Sequence, residues 1–373
     1  MDSNTEGIMG KRITGSTPRE DGFRMPGEFE PQKRVWMIWP ERPDVWRAHG
    51  KYAQKAYRDV AAAVSRFTPV TMLASPEEFA HAREMLPQNI RVECVMNDDA
   101  WSRDTGPTFV KNDRTGEVRA VDWKFNAYGG DYDGLYKPWD NDDALAGKIA
   151  DLAGKDSYRT EDFVLEGGSI HTDGEGTLLT TEMCLLSPGR NPHMTKEEIE
   201  EKLREYLGVH QIIWIKDGID PEETNGHVDD VACFARPGEA ICIWTEDPEN
   251  PFYGVCQSAY KTLSESYDAK GRKLKVHKLI MPKVPVRIGK DFGIDSAEGS
   301  LPREEGDLCA ASYLNFLITN GGIICPQYGD EYDELALDQL RRIFPEYTVI
   351  GVMSREIVYG GGNIHCITQQ EPL

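Results

Sequence analysis

The sequence predicts an α/β protein, and two observations along its 373 residues indicate this class. Strand-like segments alternate with helical segments, as they do in proteins whose helices pack against sheets. Clusters of polar residues also recur at regular intervals among apolar segments, which indicates repeated units.

The strand-like segments are short runs rich in β-branched and aromatic residues and bounded by turn-forming residues, a pattern typical of strands. The last one contains Asn320-Gly321, a dipeptide that favours a tight hairpin turn, so it predicts two antiparallel strands. The segments are 35–39, 69–73, 90–95, 108–111, 118–123, 177–182, 212–216, 230–235, 240–245 and 313–327.

Four helical segments fall between these strands, at 51–67, 195–208, 251–266 and 333–344. Thr195 and Glu198 have the spacing of a capping box, in which each side chain bonds the other residue's backbone N–H. We therefore expect that helix to begin next to Thr195.

Two segments, EGGSIHT (166–172) and GGGNIHC (360–366), align without gaps on two glycines and the histidine. From Asp104 to Glu166 is 62 residues, and from Glu166 to His227 is 61. The next step, from His227 to Cys366, is 139, a little over twice as long. This spacing predicts about five units, one without an obvious reactive group, whose polar clusters meet at a common axis. Chance similarity between two glycine-rich turns is the alternative.

The composition excludes some classes of function. With 63 acidic and 42 basic residues the net charge is −21, and there is no basic stripe of the kind that binds nucleic acid. The acidity fits a solvated surface, or a field that attracts a small cation. No apolar run approaches the roughly 18 residues of a membrane helix.

Residues 1–21 are polar and lack the apolar segment of a signal peptide. We therefore expect a flexible N-terminal lead-in, a single catalytic domain over 22–373, and a soluble, cytoplasmic protein. The eight cysteines include no C-x-x-C pair, which argues against a zinc ribbon or a thioredoxin-like site. Most lie in apolar runs, whereas Cys366 lies among glycines and polar residues.

The residues expected to converge suggest chemistry on a cation. A Cys–His pair suits nucleophilic catalysis. Carboxylates beside a thiol, however, raise the pKa of the thiol and oppose the formation of an oxyanion at a substrate carbonyl. A planar guanidinium explains the carboxylates, because its N–H groups match bidentate acids and its charge favours a thiolate. These residues are Asp104, Glu166, His227, Asp229 and Cys366.

Four motifs together resemble the agmatine deiminases of the guanidino-modifying, or pentein, superfamily. They are DDAWSRDTGPTF, LEGGSIHTDGEGTLLTTEMCLL, NGHVDD and GGGNIHCITQQ, and the resemblance runs from about Gly22 to the C-terminus. It implies a five-bladed, pseudo-symmetric α/β propeller of ββαβ-type units.

The resemblance also implies the roles of the site residues. Cys366 would be the nucleophile and His227 the general acid and base. Asp104 and Asp229 would clamp the guanidinium nitrogens, with Glu166 on another side. Agmatine would give N-carbamoylputrescine and ammonia through a covalent amidino-cysteine (thiouronium) intermediate, in polyamine biosynthesis. The family requires no metal or cofactor and allows a homodimer or larger homo-oligomer.

The amine tail of agmatine requires acids or aromatic faces, whereas an arginine deiminase requires a basic fork for a carboxylate. The stretch 216–230 contains six acidic residues, and Lys216 is its one lysine or arginine. Among them we expect Asp220 and Glu223 to hold the tail, while Trp101 lies along the aliphatic linker. A solvated acidic loop is the alternative. Gly361 and Gly362 would let the backbone approach the substrate.

Other polar residues are expected to be structural. His171 and His365 would satisfy loop backbone groups, and alternation along a strand would turn His365 away from Cys366. By the same alternation Arg103 would face away from Asp104 and brace a neighbouring element.

Two rival classes of enzyme remain open. One comprises enzymes acting on arginine or peptidyl-arginine, and amidinotransferases. The other is a metal-dependent hydrolase or metal-binding protein that uses His227, Asp229, Glu166 and Asp104. A non-enzymatic scaffold would not explain why these groups recur.

Overall fold

The computed structural model describes residues 10–220, 222–290, 292–297 and 299–373. Its strands are β1 (Arg12–Ile13), β2 (Gln32–Ile38), β3 (Val70–Ala74), β4 (Arg91–Cys94), β5 (Thr108–Lys111), β6 (Val118–Lys124), β7 (Ser157–Val164), β8 (His171–Thr172), β9 (Thr177–Thr181), β10 (Gln211–Ile215), β11 (Ala232–Arg236), β12 (Glu239–Trp244), β13 (Lys275–Ile280), β14 (Leu317–Thr319), β15 (Gly322–Gln327), β16 (Thr348–Met353) and β17 (Gln369–Pro372). Its helices are α1 (Lys51–Val64), α2 (Phe79–Met85), α3 (Ser102–Thr105), α4 (Gly130–Asp133), α5 (Asp140–Asp143), α6 (Leu145–Ala153), α7 (Glu182–Leu185), α8 (Lys196–Leu207), α9 (Tyr253–Glu265), α10 (Asp333–Ile343) and α11 (Arg355–Val358), with short 3-10 turns at Gly167–Ser169 and Val228–Asp230.

The described strands form five separate sheets with one recurring strand order. In each sheet the first strand pairs antiparallel with the second, and the second pairs parallel with a third that follows a helix. The sets are β5–β6–α6–β7, β8–β9–α8–β10, β11–β12–α9–β13 and β14–β15–α10–β16. These are ββαβ units, and a parallel pair requires a crossover of this kind.

The fifth unit joins the two ends of the chain. Strand β17 pairs antiparallel with β2, which pairs parallel with β3 after α1. Gln369 lies opposite Trp36 in this pairing, and both residues are buried. The C-terminal strand is therefore part of a sheet, which fixes the glycine-rich motif that precedes it.

Part of the expected N-terminal lead-in is attached to a sheet. Residues 1–9 lie outside the described residues. Strand β1 pairs parallel with β7, and Asp21 accepts hydrogen bonds from Arg119 and Tyr158. The expectation of flexibility is therefore wrong for residues 10–21, because backbone pairing and ion pairs hold this segment.

Local predictions are confirmed where they rest on local chemistry. Thr195 and Glu198 form the capping box that opens α8, and β14 and β15 form the hairpin around Asn320-Gly321. Helix α1 buries residues at helical spacing, among them Tyr57, Val60 and Val64, and packs against β15 and β16. Among the described residues, none of the helices combines the length and apolar character needed to cross a membrane.

Candidate active site

Each of the five units brings polar side chains into the turn that precedes its first strand. Four of the turns were expected from the sequence, and the fifth, before β14, was not. The contributing residues are Asp104 before β5, Glu166 before β8, His227 and Asp229 before β11, Asn315 before β14 and Cys366 before β17.

Cys366 lies in a tight turn in which Ile367 N–H donates to the carbonyl of Asn363 at 3.1 Å. Its Sγ lies 3.2 Å from Nδ2 of Asn315 and 3.7 Å from Oδ2 of Asp229. Burial, followed by nearby Asp229 and other acids, raises the pKa of this thiol well above its usual value. The thiol is therefore neutral before a substrate binds.

His227 is buried between two carboxylates. Its Nδ1 lies 3.8 Å from Oδ1 of Asp104, and its Nε2 lies 3.8 Å from Oε2 of Glu166. Burial alone would lower the pKa of His227, but Asp104 and other neighbours hold it well above its usual value. Among the described residues neither ring nitrogen has a hydrogen-bond partner. The imidazolium is thus free to act on a ligand.

Glu166 is paired with a cation that the sequence did not indicate. Oε1 of Glu166 lies 2.7 Å from Nε of Arg190, and both side chains are fully buried. Burial opposes ionisation, but Arg190 lowers the pKa of Glu166 below its usual value. Arg190 also donates to Asn225 Oδ1 at 2.6 Å, so it is fixed in place.

Asp104 has neutral donors instead. It accepts hydrogen bonds from Gly168 N–H at 2.8 Å and from the Tyr128 hydroxyl at 3.0 Å. Burial raises its pKa to about 6 against the opposing effect of His227. A Cβ at Gly168 would lie 2.5 Å from Nδ1 of His227, so only glycine fits this close approach.

The Asp229 carboxylate contacts both Cys366 and His365. Its Oδ2 lies 2.8 Å from Nδ1 of His365, which lowers the pKa of Asp229 despite its burial. The prediction that His365 points away from Cys366 is wrong, because residues 364–367 form a turn and strand alternation does not apply. Arg103 likewise lies in a helical turn, α3, where it donates to Gln370 Oε1 at 2.7 Å and braces β17 as predicted.

A narrow pocket of about 20 Å³ opens onto Cys366. Trp101 lines it, with its indole donating to Asp99 Oδ2 at 2.8 Å. A Cβ on Gly362 would lie 2.6 Å from the Trp101 ring and 3.1 Å from Sγ of Cys366. Gly361 has a φ of +111°, a conformation that favours glycine. Other lining residues are Asp104, Tyr128, Glu223, Leu301, Arg303 and Gly360.

The two acids expected at the amine tail lie in different surroundings. Glu223 lines the pocket, where its Oε2 lies 2.9 Å from Nη2 of Arg303, which also donates to the Gly360 carbonyl at 2.8 Å. Asp220 lines an adjoining cavity of about 350 Å³. Burial and Glu223 raise the pKa of Asp220 to about 7.

Three groups of side chains bring potential metal-ligand atoms within 4.8 Å of one another. In each group a carboxylate already bonds a donor, such as Arg190, His365 or Asn315. We assign none of these side chains as metal ligands. The groups are Glu28–His171–His365, Glu166–Cys184–His227 and Asp229–Asp230–Cys366.

Sequence reasoning missed the partners of the predicted site residues. Asn315 could have been found from its place at the start of the predicted hairpin segment 313–327, where the other units carry their polar residues. Tyr128, Arg190 and Glu28 lie in segments without a repeated pattern, so no sequence signal marked them.

Comparison with known proteins covers almost the whole chain. Residues 24–372 match the model of the Porphyromonas-type peptidyl-arginine deiminase family. The agmatine deiminase of Pseudomonas aeruginosa (strain LESB58) is 55% identical over 359 residues, which cover 96% of this chain and 97% of the relative. A solved agmatine deiminase of Enterococcus faecalis has a TM-score of 0.96 at 62% identity, covering 97% of this chain and 99% of that one. A substrate-bound cysteine-to-serine variant of C. jejuni agmatine deiminase has a TM-score of 0.80 at 26% identity, with 94% and 96% covered.

Proposed function

Because the chain belongs to the Porphyromonas-type peptidyl-arginine deiminase family and, within the pentein superfamily, to the agmatine deiminases, we propose that it deiminates agmatine through a covalent intermediate on Cys366. It is a hydrolase that acts on C–N bonds. The observation that carries the mechanism is a buried thiol that faces a pocket near acids and the His227 imidazolium, while none of the described cationic side chains forms an ion pair with the thiol itself.

The first half of the reaction uses the charge of the substrate. The guanidinium enters between Asp104 and Asp229, with Glu166 on a further side, and its charge lowers the pKa of the Cys366 thiol, which releases its proton to solvent. The thiolate then attacks the guanidinium carbon. His227, protonated before substrate binds, gives its proton to one nitrogen, and the C–N bond breaks to release ammonia. An S-alkylthiouronium group remains on Cys366.

The second half restores the enzyme. His227, now neutral, takes a proton from water as the water oxygen attacks the same carbon. The hydroxyl now on the carbon loses its proton as the C–S bond breaks, so the carbon keeps a carbonyl oxygen, and the departing sulfur takes up that proton to restore the thiol. The product is N-carbamoylputrescine, a urea derivative that would feed polyamine synthesis.

The pocket supports a small free substrate. Trp101 supplies an aromatic wall for the aliphatic linker, and Glu223 and Asp220 supply acids beyond it. Leu301 and Arg303 line the same pocket. Arg303 is the one basic residue lining the pocket among those described, and its bond to Glu223 occupies it.

We also propose that residues 22–373 act as one catalytic domain whose five sheets surround the site as blades. Helices that contact two successive sheets support this arrangement. Helix α9 contacts β10 as well as β12, and α10 contacts β13 as well as β15 and β16. A homo-oligomer is proposed on family grounds alone.

An ammonia-release assay with agmatine, arginine and a peptidyl-arginine tests the substrate. We expect agmatine to give the highest kcat/KM, and a preference for arginine would contradict the assignment of acids to the tail. Cys366→Ser should lose ammonia release, whereas a slow substrate should leave an amidino mass on the Cys366 peptide of the wild type. Full activity in Cys366→Ser, or activity that a chelator abolishes and zinc restores, would favour the metal-hydrolase alternative.

A further inference from the structure

His365 is buried between carboxylates that come from two different parts of the chain. Its Nδ1 lies 2.8 Å from Oδ2 of Asp229, and its Nε2 lies 2.7 Å from Oε2 of Glu28. Glu28 precedes β2, whereas Asp229 precedes β11, and both side chains are almost fully buried. The His365 ring thus connects Asp229, the carboxylate next to Cys366, to Glu28, which does not line the pocket of Cys366.

These two distances fix the protonation state of His365. A neutral imidazole has a single N–H and cannot donate to two ionised carboxylates at once. Both nitrogens must therefore carry a proton while both acids are ionised. The burial of the ring lowers its pKa, as does Arg103, but Glu28 and Asp229 hold the pKa of His365 above its usual value.

The other groups around Glu28 favour its ionised form. Its Oε1 accepts the Ile318 N–H at 2.7 Å, and its Oε2 lies 3.9 Å from Nη2 of Arg103. His171 accepts the Phe234 N–H at 3.2 Å through Nδ1, so its proton is on Nε2, 3.7 Å from Oε2 of Glu28. Together with the His365 ring, these contacts give Glu28 donors from several parts of the chain.

We propose that Glu28 is a positioning residue for the reaction, which keeps His365 as an imidazolium and thereby holds Asp229 ionised and oriented at the thiol. The role of Asp229 toward the guanidinium rests on the proposed function. The charge state of His365 does not, because it follows from contacts within the protein alone.

Two measurements on the full chain test this role. The first is NMR of the His365 ring nitrogens at pH 8, assigned with His365→Gln. We expect two protonated nitrogens in the wild type and in Glu28→Asp, and one in Glu28→Gln. The second is the pH profile of kcat/KM for agmatine, which should fall more steeply at low pH, below the limb of Asp104, where Asp229 is protonated. This lower limb should move upward by about one pH unit in Glu28→Gln, a tenfold loss on that limb, and return in Glu28→Asp.

Glu371→Gln is the matched control. Glu371 is a fully buried carboxylate beside β2 that pairs with Arg34 and Lys33 and has no contact with His365. It should leave the His365 signals and the pH limb unchanged. If Glu28→Gln does not fold, the wild-type ring and Glu28→Asp decide the question.

The outcomes separate the two proposals. A singly protonated His365 in the wild type would overturn the inference, as would an unchanged ring and pH limb in a folded Glu28→Gln. An equal loss of kcat/KM at every pH in that variant would show a merely structural role. Absence of agmatine turnover in the wild type would refute the proposed function, while the NMR result would still decide the charge of His365.

Discussion

Replacing Asp229 with Asn should make the Cys366 thiol more acidic while it abolishes turnover. Oδ2 of Asp229 lies 3.7 Å from Sγ. At an effective dielectric constant of about 20, two like unit charges at this distance repel each other by about 4 kcal/mol. Removing the carboxylate therefore lowers the pKa of the Cys366 thiol, although the substrate loses a clamp.

The rate of alkylation by iodoacetamide as a function of pH measures this shift. Mass spectrometry of the Cys366 peptide separates its modification from that of Cys94, which is exposed and serves as an internal standard. Glu222→Gln is the control, because Glu222 is an exposed acid that lines the adjoining cavity of about 350 Å³ and does not line the pocket of Cys366. It should leave the midpoint of the Cys366 profile unchanged.

Two results would refute this reasoning. A midpoint for Asp229→Asn at or above the wild-type value would mean that the carboxylate does not control the thiol. Near-normal ammonia release from agmatine in the same variant would mean that Asp229 does not clamp the guanidinium. Loss of activity with a more reactive thiol is the combination that the proposed mechanism requires.

Two further predictions concern the other carboxylates. Asp104, with a pKa of about 6, must be ionised to bind the guanidinium, so kcat/KM should fall as the pH drops through about 6. Asp104→Asn should remove this acidic limb of the pH profile along with most of the activity. If the limb persists in the variant, another group causes it. Arg190→Met leaves Glu166 buried without its cation and should lower the free energy of unfolding by about 3–5 kcal/mol in urea titrations at pH 7, with Arg190→Lys recovering part of it. Because Arg190 lowers the pKa of Glu166, the contribution is present above the unfolded-state pKa of about 4.3 and is lost as the pH falls toward the folded-state value. Equal stability of wild type and Arg190→Met would contradict the pairing.

Sequence reasoning predicted the strands and helices whose residue patterns lie within one short segment of the chain. Apart from the short polar strands β8 and β17, which were not predicted, the first two strands of each unit are mostly buried and apolar, and turn residues mark their ends. It missed the third strands β7, β13 and β16, because each is only partly buried and alternates charged or polar residues with apolar ones. Their place in the sheet comes from pairing with a distant strand, which no short segment reveals.

The same limit explains the unit that was expected to lack a reactive group. Residues 281–316 separate β13 from β14 and lengthen this unit, so Asn315 falls outside the regular spacing. The strand-alternation argument failed at Cys366 for a related reason. A turn that connects a helix to a strand brings adjacent side chains to one side, and His365 therefore shares the Asp229 carboxylate with Cys366.

In the proposed mechanism a cationic substrate activates the thiol, and the arrangement of charges supports this step. Two acids of the site have a buried protein cation as partner, Arg190 for Glu166 and His365 for Asp229, and a third, Asp104, lies beside the imidazolium of His227. Cys366 has no such partner among the described residues, and burial together with Asp229 and other nearby acids raises its pKa. Entry of one guanidinium and loss of one thiol proton leave the net charge of the buried site unchanged. A neutral urea product leaves the thiolate without its cation, so the thiol regains a proton and the site returns to its starting state.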